Sequence, residues 1–170
     1  MEKPAKHFNI CNLLEILRYI TLGIGVFFAE YFGNEPLVQL NILSITIVLS
    51  LGGLTAIESI FFAKKAAVLS GYGEVSPYQR QSGFNNLALT FVTIAVYVFD
   101  FGYYAKLSVL LVMLTFLTLS AGNHLFTALA KGNRSMRNML RPIITAILLI
   151  YTIPVIIKVL EILRVCINIH

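Results

Sequence analysis

Three long apolar runs, and the polar residues set inside them, define this chain. Residues 37–63 carry one charge, Glu58; residues 84–99 carry none but open on Asn85 and Asn86; residues 107–130 carry none but hold Asn123 and His124. The runs do not alternate with the two-residue period of barrel strands, and uncharged runs of this kind are membrane-spanning helices. The pattern predicts five helices: about Asn9 to Phe32, Leu37 to Ala63, Ser76 to Phe99, Tyr104 to Ala130, and Arg141 to Arg164, the last with Pro154 inside it as an expected kink. The expected fold class is all-α, a polytopic membrane helical bundle with a four-helix core plus an N-terminal helix, forming a single domain over residues 1–170. Five spans are favoured. Four result if the first helix lies flat, since its clean stretch Tyr19–Ala29 is short unless Glu15 and Arg18 are tolerated.

Composition agrees. The chain is 58% hydrophobic and 12% charged, whereas a soluble domain carries about 25% charged residues. The net charge of +5 then reads as orientation, and no nucleic-acid partner is implied. Lys64, Lys65 and Arg80 separate the second and third helices; Lys131, Arg134, Arg137 and Arg141 separate the fourth and fifth. Two helices lie between these basic loops, so both fall on one side. The positive-inside rule makes loops 64–83 and 131–141 cytoplasmic in a multi-pass protein of the cell membrane. Tyr31, Tyr97, Tyr103 and Tyr104 collect at the other face as interfacial anchors. Met1–His7 is basic, but Glu15 and Arg18 interrupt the apolar stretch that a signal peptide needs, so the N-terminus is expected to stay in the mature protein. Ser76 followed by Pro77 reads as N-cap and first helical residue. Cys11 and Cys166 lie near opposite ends and read as unreactive thiols.

Depth singles out candidate site residues. Glu58 is six residues from Lys64, Asn86 six from Arg80, and His124 seven from Lys131. A rise of 1.5 Å per residue puts all three roughly 9–10 Å into the membrane from the basic side. Arg141 begins the fifth helix just below that layer. Ser82, Asn86, Thr90, Thr93, Tyr97 and Asp100 recur at three- and four-residue steps, within about 40° of one line. Ser120, His124, Thr127 and Lys131 repeat the stripe in part on the fourth helix, and Ser44, Thr55 and Glu58 line the second. Such stripes avoid lipid and should face one another. The hydroxyls read as interhelical glue. A buried acid is costly, so Glu58 needs either a partner, His124 or Arg18, or a ligand. Glu15 and Arg18, three apart on one face, read as a self-neutralising pair.

Gly71-Tyr72-Gly73-Glu74 has the look of a potassium-channel filter, but Leu69-Ser70 stand where Thr-Val should, and Lys64 and Lys65 occupy the place of the pore helix. No nucleotide loop, hydrolase elbow or zinc motif occurs, and the histidines and cysteines give no metal or haem signature.

Ser76-Pro77-Tyr78-Gln79, Gly83 and Asn86-Leu87-Ala88, with Glu58 late in the preceding helix and Gly122-Asn123-His124 later on, carry a resemblance. Over about residues 50–150 the chain resembles a family of small uncharacterised prokaryotic membrane proteins, loosely like the DoxX four-helix bundles. That resemblance implies the fold and a candidate site, and the DoxX likeness implies a quinone-linked redox partner. The expected function is a polar intramembrane site near the cytoplasmic side, formed by Glu58, Asn86, Asn123 and His124, that binds or moves a small solute or proton. The lipid bilayer is its surroundings, and a homo-oligomer is compatible with it. The alternatives are a membrane subunit of a redox system and a lipid-modifying enzyme using Glu58 and His124 as acid and base. The sequence names no cofactor.

Overall fold

The computed structural model describes residues 9–72 and 77–168, and among these the regular structure is all helical. Helix α1 is Ile10–Phe32, with the Asn9 side chain accepting from the Cys11 N–H at 3.1 Å as its N-cap. Helix α2 runs Pro36–Phe61, with proline in its first turn and a π-helical stretch over Val48–Gly53. A short helix α3, Ala63–Leu69, follows. Then come α4, Pro77–Val98, α5, Gly102–Ala130, and α6, Met136–Asn168, which continues through Pro142 and Pro154. Pro77 opens α4 as the sequence predicts; Ser76, its expected cap, lies outside the described residues, as do Met1–His7.

Among the described residues four helices are long and apolar enough to cross a membrane: α1, α2, α5 and α6. The helix that falls short on apolarity is therefore α4, whereas the sequence had cast doubt on the first. The reason is its polar inner face. At 22 residues α4 is about 33 Å long, which matches the hydrocarbon layer in length. Large apolar side chains are exposed all round the bundle, among them Ile20, Phe27, Phe91, Leu119, Ile147 and Ile150. A water-soluble monomer does not display apolar surface so continuously, and lipid accounts for it.

Helix α2 is the centre: it packs against α1, α4, α5 and α6. The bundle is divided along its length. One half holds the apolar core, where Leu40, Leu43, Ile47 and Val48 of α2 meet Leu110 and Met113 of α5 and Val155 and Val159 of α6. The other half is polar inside. There the inward positions are Arg18, Glu58, Asn86, Thr90, His124, Arg137 and Asn138, all buried. The π-helical stretch falls at the border between the halves.

Two local features close the ends. At the polar end the two basic segments meet: Asn133 Nδ2 donates to the Ser70 and Gly71 carbonyls at 3.0 and 3.1 Å, and Ser135 Oγ donates to Ser70 O at 3.2 Å. These bonds satisfy carbonyls left open at the end of α3. At the other end Asp100 takes a positive φ of 45°, and its carboxylate accepts from Lys106 Nζ at 2.8 Å. That hydrogen bond, with the lysine charge, holds the Asp100 carboxyl below the usual carboxylate range. The Lys106 ammonium also sits over the Tyr97 and Tyr103 rings, 5.2 Å from each centroid.

Candidate functional site

The polar half is built around charges from three helices. Glu58 of α2, only 2% exposed, accepts from Arg18 of α1 at 2.5 Å through Oε2 and from Arg137 of α6 at 2.9 Å through Oε1. Arg137 also pairs through Nε with Glu15 Oε2 at 2.6 Å and donates to Asn12 Oδ1 at 3.1 Å. Arg18 adds a bond to the Leu54 carbonyl at 3.2 Å. Glu15 and Arg18 are thus not partners of each other. Each reaches across to another helix, because a face pointing into the bundle offers stronger, drier partners than a neighbour on the same helix. Of the two partners expected for Glu58, Arg18 is present and His124 is not.

His124 of α5 belongs to a second network. Its Nδ1 lies 2.9 Å from Asn138 Oδ1, its Nε2 lies 2.8 Å from Arg141 Nη1, and the Tyr72 hydroxyl is 3.2 Å from Nδ1. A guanidinium has only donors, so Nε2 must accept and the ring proton must sit on Nδ1, facing the Asn138 carbonyl oxygen. Asn138 is itself tied by Nδ2 to the Asn133 carbonyl at 3.1 Å. Tyr72, part of the filter-like stretch, serves this network; Gly73 and Glu74 lie outside the described residues.

All four predicted site residues line one cavity of about 480 Å³, together with Arg141, Ser120 and Tyr72. Glu58, Asn86 and His124 are buried in its wall, and Asn123 is exposed at its side. Asn86 spends one amide hydrogen on the Ser82 carbonyl at 2.9 Å. A smaller inner chamber of about 80 Å³ shares Thr55, Asn86, Phe116, Ser120 and Arg141 with the cavity and adds Arg18 and Tyr19. Gly83 seats α4 tightly beside α2: a Cβ there would come 2.9 Å from Ser59 Cβ and 3.0 Å from Ile60 Cγ1. In the Gly122-Asn123-His124 motif, Gly122 has nothing within 4 Å of where a Cβ would stand, so no packing demand explains it.

The threonine stripe behaves differently from expectation. Thr90, Thr93 and Thr127 face inward, yet each hydroxyl donates 2.8 Å to the carbonyl four residues back in its own helix. That arrangement satisfies them without gluing helices together. The cross-helix hydroxyl contacts are at the far end, where Tyr97 OH lies 2.5 Å from Ser44 Oγ and donates to the Asn41 carbonyl at 2.5 Å.

The sequence missed the weight of Arg137 and Arg141, which it placed in or at the edge of a solvated loop. Helix α6 begins at Met136, five residues earlier than expected, and turns both arginines inward. Ser135 ahead of Met136 is the available signal. Serine is a favoured N-cap, and a helix starting there puts Arg137 and Arg141 on one face. Both cysteines are free, with Cys11 buried and Cys166 exposed. Among the described residues no group of His, Cys, Asp and Glu could hold a metal ion.

Fold and site together define a helical bundle of membrane-spanning composition with a charged, polar cavity in one half. The chain belongs to the DUF6790 family, a family of unknown function, whose model matches residues 17–164. No curated protein and no solved structure matches it. The family match confirms likeness to uncharacterised proteins and lends nothing to the DoxX comparison.

Proposed function

We propose that the protein is a multi-pass protein of the cell membrane that binds a small polar solute in this cavity, reached from the cytoplasm. The observation that carries the reading is the convergence of Glu58, Asn86, Asn123 and His124, from three helices, on one cavity of about 480 Å³. That volume lies in the range of ligand sites, about 300–1,000 Å³. Exposed Tyr72 and half-buried Gln79 line it at the end of the bundle that carries Lys64, Lys65, Lys131 and Arg134. The positive-inside rule makes that end cytoplasmic, and α4 then crosses with its polar face inward as the fifth span. A solute is favoured over a proton because neither buried titratable group on the wall is idle. Both Glu58 oxygens are held by guanidiniums and both His124 nitrogens are engaged.

The test has two parts. In proteoliposomes of a Cys166→Ser background, Ser120→Cys should react with a membrane-impermeant thiol reagent from the basic-loop side only. In neutral detergent, a panel of small carboxylates, phosphates, amines and sugars should include one that raises the unfolding temperature of the wild type but not of Ser120→Phe, in which the cavity is filled. A Ser120→Cys that never reacts, with no thermal shift across the panel, would overturn the reading.

A further inference from the structure

Among the described residues, the interior of the polar half holds three guanidiniums, Arg18, Arg137 and Arg141, and two carboxylates, Glu15 and Glu58. Arg18 and Arg137 saturate Glu58 and Glu15. Arg141 is left with a hydrogen bond to His124, a ring that accepts from it and so carries no charge. Arg141 lines both the cavity and the inner chamber. Arg18, 4% exposed, lines the inner chamber too, and its buried Nε has no hydrogen-bond partner. Among the described residues Arg141 has no carboxylate partner and Arg18 has an orphaned guanidinium N–H, both at one chamber, and together they call for an oxyanion, the group that a guanidinium grips most strongly.

A second space adjoins that chamber. Tyr19 and Ile144 wall both the chamber and an apolar groove of about 390 Å³ between α1 and α6. The groove exists because the two helices are each packed on α2 and not closely on each other. Side chains strap it at either end: Glu15 to Arg137, and Glu30 to Tyr151 OH at 2.7 Å. At Gly23 a Cβ would meet nothing within 4 Å, so the groove is open there.

We infer that the ligand is an amphipathic acid, a single-chain lipid whose carboxylate or phosphate head sits on Arg141 and whose chain lies in the α1–α6 groove. This rests on the cavity reading above for the seat of the polar head and goes beyond it, since the small polar solute becomes the head of a ligand whose chain the groove holds. The polar head would reach the cavity that opens on water, and the chain would remain on the lipid-facing side, so neither part is desolvated against its nature.

The experiment is native mass spectrometry of the protein released from neutral detergent after incubation with palmitate, 1-palmitoyl lysophosphatidate, hexadecanol or hexadecyltrimethylammonium. One or both acids should be kept as a 1:1 adduct, and which of them is kept assigns the head as carboxylate or phosphate. Hexadecanol and the cation should be held about tenfold less, the scale of one charge-assisted contact. Arg141→Gln should lower acid retention about tenfold, and Arg141→Lys should restore part of it. Gly23→Phe fills the groove without removing a charge and should abolish retention with the fold intact, since nothing lies within 4 Å of a Cβ there, which keeps the proposal testable if Arg141→Gln misfolds. Retention blind to head charge, or unchanged in both Arg141→Gln and Gly23→Phe, overturns the inference. A thermal shift with acetate that survives Gly23→Phe, without palmitate or lysophosphatidate adducts, overturns it too while sparing the cavity reading. No adduct, no shift and an unreactive Ser120→Cys sink both.

Discussion

Arg137 and Glu58 stand 79 residues apart in the chain and 2.9 Å apart in the fold. Through that contact α6 is tied to α2, and through the other oxygen of the same carboxylate α1 is tied in as well. One acid thus fixes three helices at the level where the apolar core ends. It does so where water cannot compete, because the side chains of Glu58, Arg18 and Arg137 are all under one-tenth exposed.

Glu58→Gln should therefore act on stability before it acts on any ligand. It leaves buried Arg18 without its carboxylate and Arg137 with Glu15 alone, and removing one partner of a buried pair costs about 3–5 kcal/mol. The unfolding temperature in detergent should fall sharply. Removing a cation as well, in Glu58→Gln with Arg18→Met, should recover part of the loss by restoring the charge balance. A single variant as stable as the wild type would show that the cluster does not hold the helices.

His124 offers a test of the second network by protonation site. With Arg141 donating to Nε2 and Asn138 Oδ1 beside Nδ1, the neutral ring must carry its proton on Nδ1. Nitrogen-15 NMR of the labelled protein should show a protonated Nδ1 and an unprotonated Nε2. Arg141→Gln should weaken this preference, since a side-chain amide can either donate or accept. A wild-type ring protonated on Nε2 would mean that Arg141 points elsewhere.

Much of this was legible from residue order. The five long helices follow from the apolar runs, and Glu58, Asn86 and His124, set at one level by their spacing from the basic residues, line one cavity. What depth cannot supply is azimuth and partner choice. Glu15 and Arg18 share a helix face, which makes them look self-sufficient, yet that face looks inward onto Arg137 and Glu58. Arg137 and Arg141 read as loop residues because charge near an apolar run ordinarily marks the water boundary. Here α6 already begins at Met136, and both charges turn inside to Glu58 and His124. The short helix α3 was hidden for a related reason: Lys64 and Lys65 lie on its exposed side, while Ala63, Ala66 and Ala67 are buried.

Gly71 is the position where backbone conformation and packing coincide. Its φ of +75° belongs to the left-handed region, and an added Cβ would fall 2.6 Å from Asn133 Oδ1. That amide cannot swing away without releasing the Ser70 and Gly71 carbonyls, so the clash and the strain reinforce each other. Gly71→Ala should lower stability by about 1–3 kcal/mol, the scale of a residue forced into a sparsely populated conformation. It should also loosen the wall that Tyr72 contributes to the cavity. Gly122→Ala is the matched comparison: that glycine is helical, with open space around it, and alanine there should leave stability equal or slightly higher. Thermal unfolding of the two variants beside the wild type decides the matter, and equal curves for all three would mean that the Asn133 clasp on the end of α3 contributes nothing to holding the fold.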